Sequence, residues 1–238
     1  MSTAHLSPNP DTIRRGDAAI SSLRKLVPAC SIITDPAGRR VFETDAFTAY
    51  TKMPLAVVLP SSTEDVRRML KFCHEAGIRV VPRGAGTSLS GGTLPSEDAI
   101  VLCLSRMTRL MEVNLESRYV RVEAGITNLA VSDALRSKGF YFAPDPSSQL
   151  ACTIGGNIAS NAGGAHSLKY GVTTNNVLGV KMVLMNGDIV ELGGTGLDHM
   201  GYDFLALVNG SEGQLGIVTE ATLRILGRPE GARSVLIG

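Results

Sequence analysis

The sequence predicts an α+β fold in two lobes, a small parallel α/β lobe over about residues 53–106 and a mixed, largely antiparallel lobe over about residues 107–228. Three observations predict it. LAVVL at Leu55–Leu59, an amphipathic stretch over Ser62–Ala76 and IRVV at Ile78–Val81 form a β-α-β unit, whose short crossover implies parallel strands. After Met107 the apolar runs shorten and pair. Finally, VLGVKMVLM and DIVEL flank Asn186-Gly187, a dipeptide suited to the positive φ values of a tight hairpin turn.

In chain order, residues 1–52 read as a peripheral lead-in without chemistry, with a helix over Asp11–Leu26 and a Pro/Gly-broken turn at Asp35–Gly38. The helix of the first lobe carries a capping pair in Ser61 and Glu64. Its apolar residues Val66, Leu70 and Cys73 fall at i, i+4 and i+7, and Gly77 stands where a left-handed terminating residue belongs. AIVLCL, Ala99–Leu104, is apolar throughout and predicts a strand buried on both faces. In the second lobe LMEVN at 110–114 and YVRVEAG at 119–125 read as a strand pair. A helix follows over Asn128–Lys138, then the hairpin, a short helix over Asp203–Val208 and a last long strand, Gly216–Leu226. Residues 229–238, with ARSVLIG at Ala232–Gly238, read as the start of a further strand belonging to a substrate domain downstream; a disordered tail reads the same way.

Lys and Arg number 23 against 22 Asp and Glu, for a net charge of +1, and are scattered along the chain, which excludes nucleic acid and anionic membrane as first expectations. No apolar run approaches the roughly 18 residues of a membrane span, and MSTAHLSPNPD lacks the basic and apolar parts of a secretory signal, so the expected location is cytoplasmic. Cys30, Cys73, Cys103 and Cys152 include no CxxC pair and the four histidines show no ligand spacing. No metal site is expected, and the cysteines read as small buried hydrophobes.

Glycine is the informative excess. The chain has 26 in 238 residues, against an average near 7%. They concentrate in ordered-looking clusters where backbone must approach something closely. PRGAGTSLSGG, Pro82–Gly92, follows a buried strand and combines glycines, hydroxyls and Arg83, the mixture an anion such as pyrophosphate needs. By itself it is equally an ordinary glycine-rich turn. The third glycine of GxGxxG is replaced by Leu89, and no GxxxxGK[ST] occurs, so neither a Rossmann dinucleotide site nor a P-loop is supported. Ala143–Gly171 is more specific, packing PDPSS, TIGGN, NAGG and KYG into one segment whose neutral donors and close-approach glycines suit a flat polar heterocycle. Asn209–Ile225, NGSEGQLGIVTEATLRI, feeds a Gly-rich turn into the last strand, where the backbone of Ile217 and Val218 can meet a ring edge or simply begin the strand.

With PRGAGTSLSGG, APDPSS, CTIGGN, NAGG, LKYG and GSEG-LGIVTE read in order, the chain resembles the FAD-binding domain of the p-cresol methylhydroxylase (PCMH) and vanillyl-alcohol oxidase superfamily over about residues 50–230. Within it the motifs look most like those of FAD-linked glycolate oxidase D subunits and D-lactate dehydrogenases. The resemblance implies a two-lobed domain with FAD between the lobes. It implies that Arg83, Gly84, Ala85, Gly86, Thr87 and Ser88, with Pro82 and Gly92 nearby, cradle the pyrophosphate. Pro144, Ser147, Thr153, Gly155, Gly156, Ala159 and Asn161 would line the flavin and ribityl portion, with Gly164 and Tyr170 close behind, and Ile217 and Val218 would contact the adenine end. Members that bind flavin covalently through the first loop carry a histidine in it, and Pro82–Gly92 has none, so noncovalent attachment is implied. Gln214 departs from the usual GSEGTLGI between glycines whose backbone would make the contact.

The implied activity is the cofactor half of a flavin-dependent D-2-hydroxy acid dehydrogenase, with a small 2-hydroxy acid bound through a downstream domain. Iron-sulfur and second flavin-domain-like subunits are the implied partners. No residue is assigned as catalytic. His166 and Tyr170 read as structural groups before proton-transfer groups, and Glu212 and Glu220 as turn caps or solvent-facing acids. Two rival readings stay open: a noncatalytic flavin- or nucleotide-binding subunit of a glycolate oxidase-like complex, and an enzyme resembling UDP-N-acetylmuramate reductases.

Overall fold

The computed structural model describes residues 7–14, 16–27, 31–196, 201–231 and 235. Most of the 232–238 segment, read above as the start of a further strand, lies outside the described residues, as do Cys30 and Arg15.

The first lobe begins with α1 (Pro10–Arg14) and α2 (Gly16–Leu26), within the span where a helix was expected. There follow β1 (Ile32–Ile33), α3 (Pro36–Arg40), β2 (Ala56–Val58), α4 (Thr63–Ala76), β3 (Arg79–Arg83) and β4 (Ala99–Cys103). The sheet order is β1-β2-β4-β3, with β2 and β3 both parallel to β4. All five residues of β4 are buried, because helices and loops cover both faces of a central parallel strand. The lead-in is not peripheral. β1 pairs antiparallel with β2, and Leu23, Val27 and Ile32 join Val66, Met69, Leu70 and Cys73 in one core.

The α4 cap sits one residue later than the sequence reading placed it. Ser62, extended at φ −153°, accepts from the Asp65 amide at 3.1 Å, while the Ser61 hydroxyl donates to the Asp65 carboxylate at 2.9 Å. Glu64, freed from capping, takes Arg67 and Arg68, whose bonds hold its carboxyl down at about 2. Gly77 closes the helix at φ 64°, a conformation that favours glycine.

The second lobe contains β5 (Leu110–Asn114), β6 (Tyr119–Glu123), α5 (Asn128–Arg136), β7 (Phe140–Tyr141), α6 (Ile154–Ser160) and α7 (Ser167–Tyr170). It continues with β8 (Val177–Val183), β9 (Ile189–Gly193), α8 (Phe204–Val208), β10 (Ile217–Arg224) and β11 (Leu226–Gly227). Five strands form an antiparallel sheet ordered β5-β6-β10-β8-β9, and β7 with β11 makes a separate ribbon. β10 alternates buried and half-buried positions, placing Ile217, Thr219, Ala221 and Leu223 inward. The β8–β9 hairpin turns at Asn186-Gly187, but only Gly187 takes the positive φ expected of the pair, at 89°, and the loop is closed by the Leu184 amide donating to the Asp188 carbonyl at 2.8 Å.

The lobes share a seam. Val183 and Ile217 of the second pack into the core of the first, and the Thr63 hydroxyl donates to that of Thr219 at 3.0 Å. At Gly125 a Cβ would lie 1.9 Å from the Leu104 carbonyl oxygen, so only glycine lets β6 leave the sheet this close to the end of β4. Between the lobes, where β3, α6 and β10 converge, a cleft opens.

Candidate functional site

The cleft holds a cavity of about 250 Å³ and opens to solvent at its mouth. Its walls come from three separated segments. The loop after β3 contributes Pro82 through Ser88 and Gly92; α6 and its approach contribute Thr153, Gly155, Gly156 and Ala159; the turn into β10 contributes Ile217 and Val218. The structure thus brings together fourteen expected residues from the three motifs that the sequence singled out.

The loop after β3 is a row of unused donors. Among the described residues, the N–H groups of Gly84, Ala85, Gly86, Thr87 and Ser88 have no acceptor within the protein. Five adjacent amides left open at a cleft wall are costly unless water or a ligand accepts from them. Gly84 must be glycine because a Cβ there would stand 2.3 Å from the Thr153 hydroxyl, and Gly86 because φ is +73°. Arg83 does not project as an open fork. Its side chain folds beneath the loop, where Nη1 donates to the Thr44 carbonyl at 2.7 Å, and burial pulls the guanidinium below its usual pKa against the opposing attraction of Cys103 and Asp45.

The second wall is held by its own hydrogen bonds. Thr153 caps α6, its hydroxyl accepting from the Gly156 amide at 3.1 Å. The buried Asn128 amide donates to the Pro144 carbonyl at 3.0 Å and to the Asn157 side-chain oxygen at 2.9 Å, and Asn157 donates to the Cys152 sulfur at 3.2 Å. This network ties the Pro144–Pro146 turn to α5 and α6. Gly164 lets the next turn settle on it, since a Cβ there would meet the Asp145 carbonyl oxygen at 2.1 Å.

Five expected residues, Pro144, Ser147, Asn161, Gly164 and Tyr170, do not line the cleft. Asn161 adopts φ 46° to end α6, and its side-chain oxygen accepts from the Thr174 amide at 2.9 Å. Tyr170 packs edge-on against Tyr141, 6.2 Å between ring centres. His166 stands outside the lining as well; its Nδ1 and its backbone amide both meet the Asp145 carboxylate.

The sequence reading missed several lining residues. Ser90 and Thr93 extend the first loop, Leu104 and Val208 add apolar wall, and Ser211 and Glu212 come from the turn before β10. The only signal for Glu212 in the sequence was its place between Ser211 and Gly213 in a glycine-rich turn; its φ of +52°, a strain that non-glycine residues rarely bear, shows only in the structure. Among the described residues no group of three or more His, Cys, Asp or Glu is placed to hold a metal ion, and no helix is long and apolar enough to cross a membrane.

A family model described as "FAD binding domain" matches residues 54–193. Glycolate oxidase subunit GlcD of Escherichia coli K12 is 44% identical over 227 residues, covering 95% of this chain and 45% of that protein. A D-lactate dehydrogenase of Archaeoglobus fulgidus is 45% identical over 170 residues, 71% of this chain and 38% of the relative. The chain thus spans less than half the length of these curated relatives. Among solved structures, an alkyldihydroxyacetonephosphate synthase superposes with a TM-score of 0.78 over 96% of this chain and 43% of its own, at 23% identity, a likeness of fold.

Proposed function

The chain belongs to the FAD binding domain family and takes FAD as its cofactor, and from that premise we propose that it is the cofactor-binding part of a flavin-dependent D-2-hydroxy acid dehydrogenase. The observation that carries the reading is the convergence of three separated glycine-rich segments on one inter-lobe cleft, one of them presenting five open amides in a row. The names of the relatives, glycolate oxidase subunit GlcD and D-lactate dehydrogenase, supply the substrate class.

The residues present fit the cofactor. The amides of Gly84–Ser88 and the Ser88 hydroxyl would hold the pyrophosphate, with Pro82, Arg83 and Gly92 shaping the loop around it. Thr153, Gly155, Gly156 and Ala159 would flank the ribityl and ring portions, and the backbone at Ile217 and Val218 would meet the adenine. Leu104, Ile158 and Val208 make that part of the wall apolar and exclude water from the bound ring. Pro144, Asn161, Gly164 and Tyr170 act behind the wall, and Ser147 with them. Bound here, FAD supplies a two-electron acceptor for hydride from the α-carbon of a 2-hydroxy acid. Groups that orient the substrate carboxylate and take the hydroxyl proton would come from the part of the protein that the relatives have and residues 1–238 do not span. Attachment through this loop would be noncovalent, because no histidine lies in Pro82–Gly92. In a complex like that of the GlcD relative, the protein would work beside partner subunits carrying an iron-sulfur centre and a second flavin-type domain.

The test is reconstitution. One FAD per chain is expected, released to the supernatant on acid precipitation. Flavin retained by the pellet overturns noncovalent attachment, and absence of binding by folded protein overturns the site. Anaerobic mixing with glycolate or D-lactate should leave the flavin of this chain oxidised. Bleaching as fast as in a full-length relative would place the substrate-handling groups within residues 1–238.

A further inference from the structure

The family match begins at residue 54, yet the segment just before it grips the loop after β3 from below. Arg83 is only 9% exposed, with Nη1 held by the Thr44 carbonyl at 2.7 Å and more loosely by the Thr93 hydroxyl at 3.5 Å. The Phe42 ring lies under the guanidinium, 5.5 Å from its carbon to the ring centre. Arg83 Nη2 fills the space below Gly86, 2.2 Å from where a Cβ would stand. Asp45 is 5% exposed; its Oδ1 accepts from the Phe47 amide at 2.9 Å, whereas Oδ2 is buried with no hydrogen-bond partner. A buried carboxylate oxygen in that condition is expensive unless an opposite charge is close. Arg83 is the cation in the neighbourhood; it makes no ion-pair contact with Asp45, but its charged form is favoured by that carboxylate.

The Ala46 amide donates to the Gly86 carbonyl at 3.0 Å. In a trans peptide the carbonyl and the following N–H point in opposite directions. Pinning the Gly86 oxygen toward Ala46 therefore aims the Thr87 N–H away from the segment, toward the row of open donors. We propose that Thr44 and Asp45 are positioning residues for the phosphate-binding loop. They hold the Arg83 guanidinium beneath Gly86, and with the Ala46 amide they set the direction of the loop's donors. The charge of Arg83 then acts on a phosphate from behind the loop without leaving its buried seat. This rests on the reading of that loop as the pyrophosphate site.

The experiment compares FAD with FMN, which keeps one phosphate and lacks the adenosine, and with riboflavin, which lacks both, as ligands of the purified protein, by flavin fluorescence. Wild type should bind FAD much more tightly than riboflavin; equal affinities would overturn the pyrophosphate reading and this proposal with it, before any variant is made. Asp45→Asn should weaken FAD about tenfold or more and riboflavin less than about twofold, because removing the Asp45 charge takes away attraction on a guanidinium that lies under the phosphate end alone. Equal weakening of both ligands would reduce Asp45 to a fold support and overturn its positioning role. In an Arg83→Met background Asp45→Asn should add almost nothing, and full additivity would show that it does not act through Arg83. Hydrogen exchange on the wild-type protein supplies a measurement that needs no variant to fold. FAD, and not riboflavin, should slow the Ala46 amide together with those of residues 84–88, and equal slowing by both ligands would overturn the coupling.

Discussion

The two glycine-rich walls of the cleft have similar compositions and opposite economies of hydrogen bonding. In Pro82–Gly92 the backbone donors are left open while the one charged side chain is bonded to the Thr44 carbonyl. In Ala143–Gly171 the polar side chains bond to one another and to backbone, through Asn128, Asn157, Asn161, Asp145 and His166. The first is built to be completed by a ligand; the second completes itself and offers a shaped surface. Glycine serves a different end in each. In the first loop it makes room for side chains, the Thr153 hydroxyl against Gly84 and the Arg83 guanidinium against Gly86, and at Gly164 it clears space for one turn to rest on another.

The sharpest way to break this comparison is to close the first loop. Gly86→Val adds a branched side chain at φ +73° where Arg83 Nη2 already fills the space. FAD affinity should fall by about 100-fold or more, roughly 3 kcal/mol, since strain at a positive φ and displacement of the cradle act together. Titration of the folded variant with FAD and riboflavin checks it. A variant that keeps its FAD affinity would mean the amides are not the ligands.

Next comes the self-supporting wall. Asn128→Ala removes two buried donors and leaves the Asn157 oxygen and the Pro144 carbonyl short of partners. Unfolding free energy should drop by about 1–3 kcal/mol in a urea titration, with the preference for FAD over riboflavin preserved. Loss of that preference with stability intact would make Asn128 part of ligand recognition and erase the contrast between the walls.

How much of this was legible in the sequence follows from how local each cause is. The β-α-β unit and the Asn186-Gly187 hairpin rest on periodicity and turn chemistry within a few residues, and both are present. The α4 cap was displaced by one because SSTED offers two overlapping solutions, Ser61 with Glu64 and Ser62 with Asp65, and only packing chooses. β1 is two residues long, too short for any period to register, so its role as the edge of the first sheet was invisible. The three motifs announced the cleft, but composition could not say which polar groups face it. Asn161 is drawn off to end a helix and Arg83 to a carbonyl 39 residues earlier.

A smaller effect is expected at Arg83 itself. Arg83→Lys keeps the charge and loses the planar group that reaches Thr44 and fills the space under Gly86 together. FAD should weaken by about threefold to tenfold, well short of Gly86→Val, because lysine can still place a cation in the seat without bridging both contacts. If the lysine variant is the weaker of the two, the charged fork matters more than the backbone cradle.

The smallest effect belongs to His166, the residue whose position between NAGG and KYG most invites a catalytic reading. Its ring is 64% exposed and bonded through Nδ1 to Asp145, and it lies outside the cleft lining. A histidine–carboxylate pair this accessible to water contributes little, so His166→Asn should lower stability by less than about 1 kcal/mol. FAD affinity should not change, because the Asp145 turn is held separately by Asn128 on Pro144 and by the close seating of Gly164. The decisive number is the FAD dissociation constant of the variant. A rise of tenfold would mean the Ala143–Gly171 wall depends on this surface pair to face the cofactor, and that the second wall is no more self-supporting than the first.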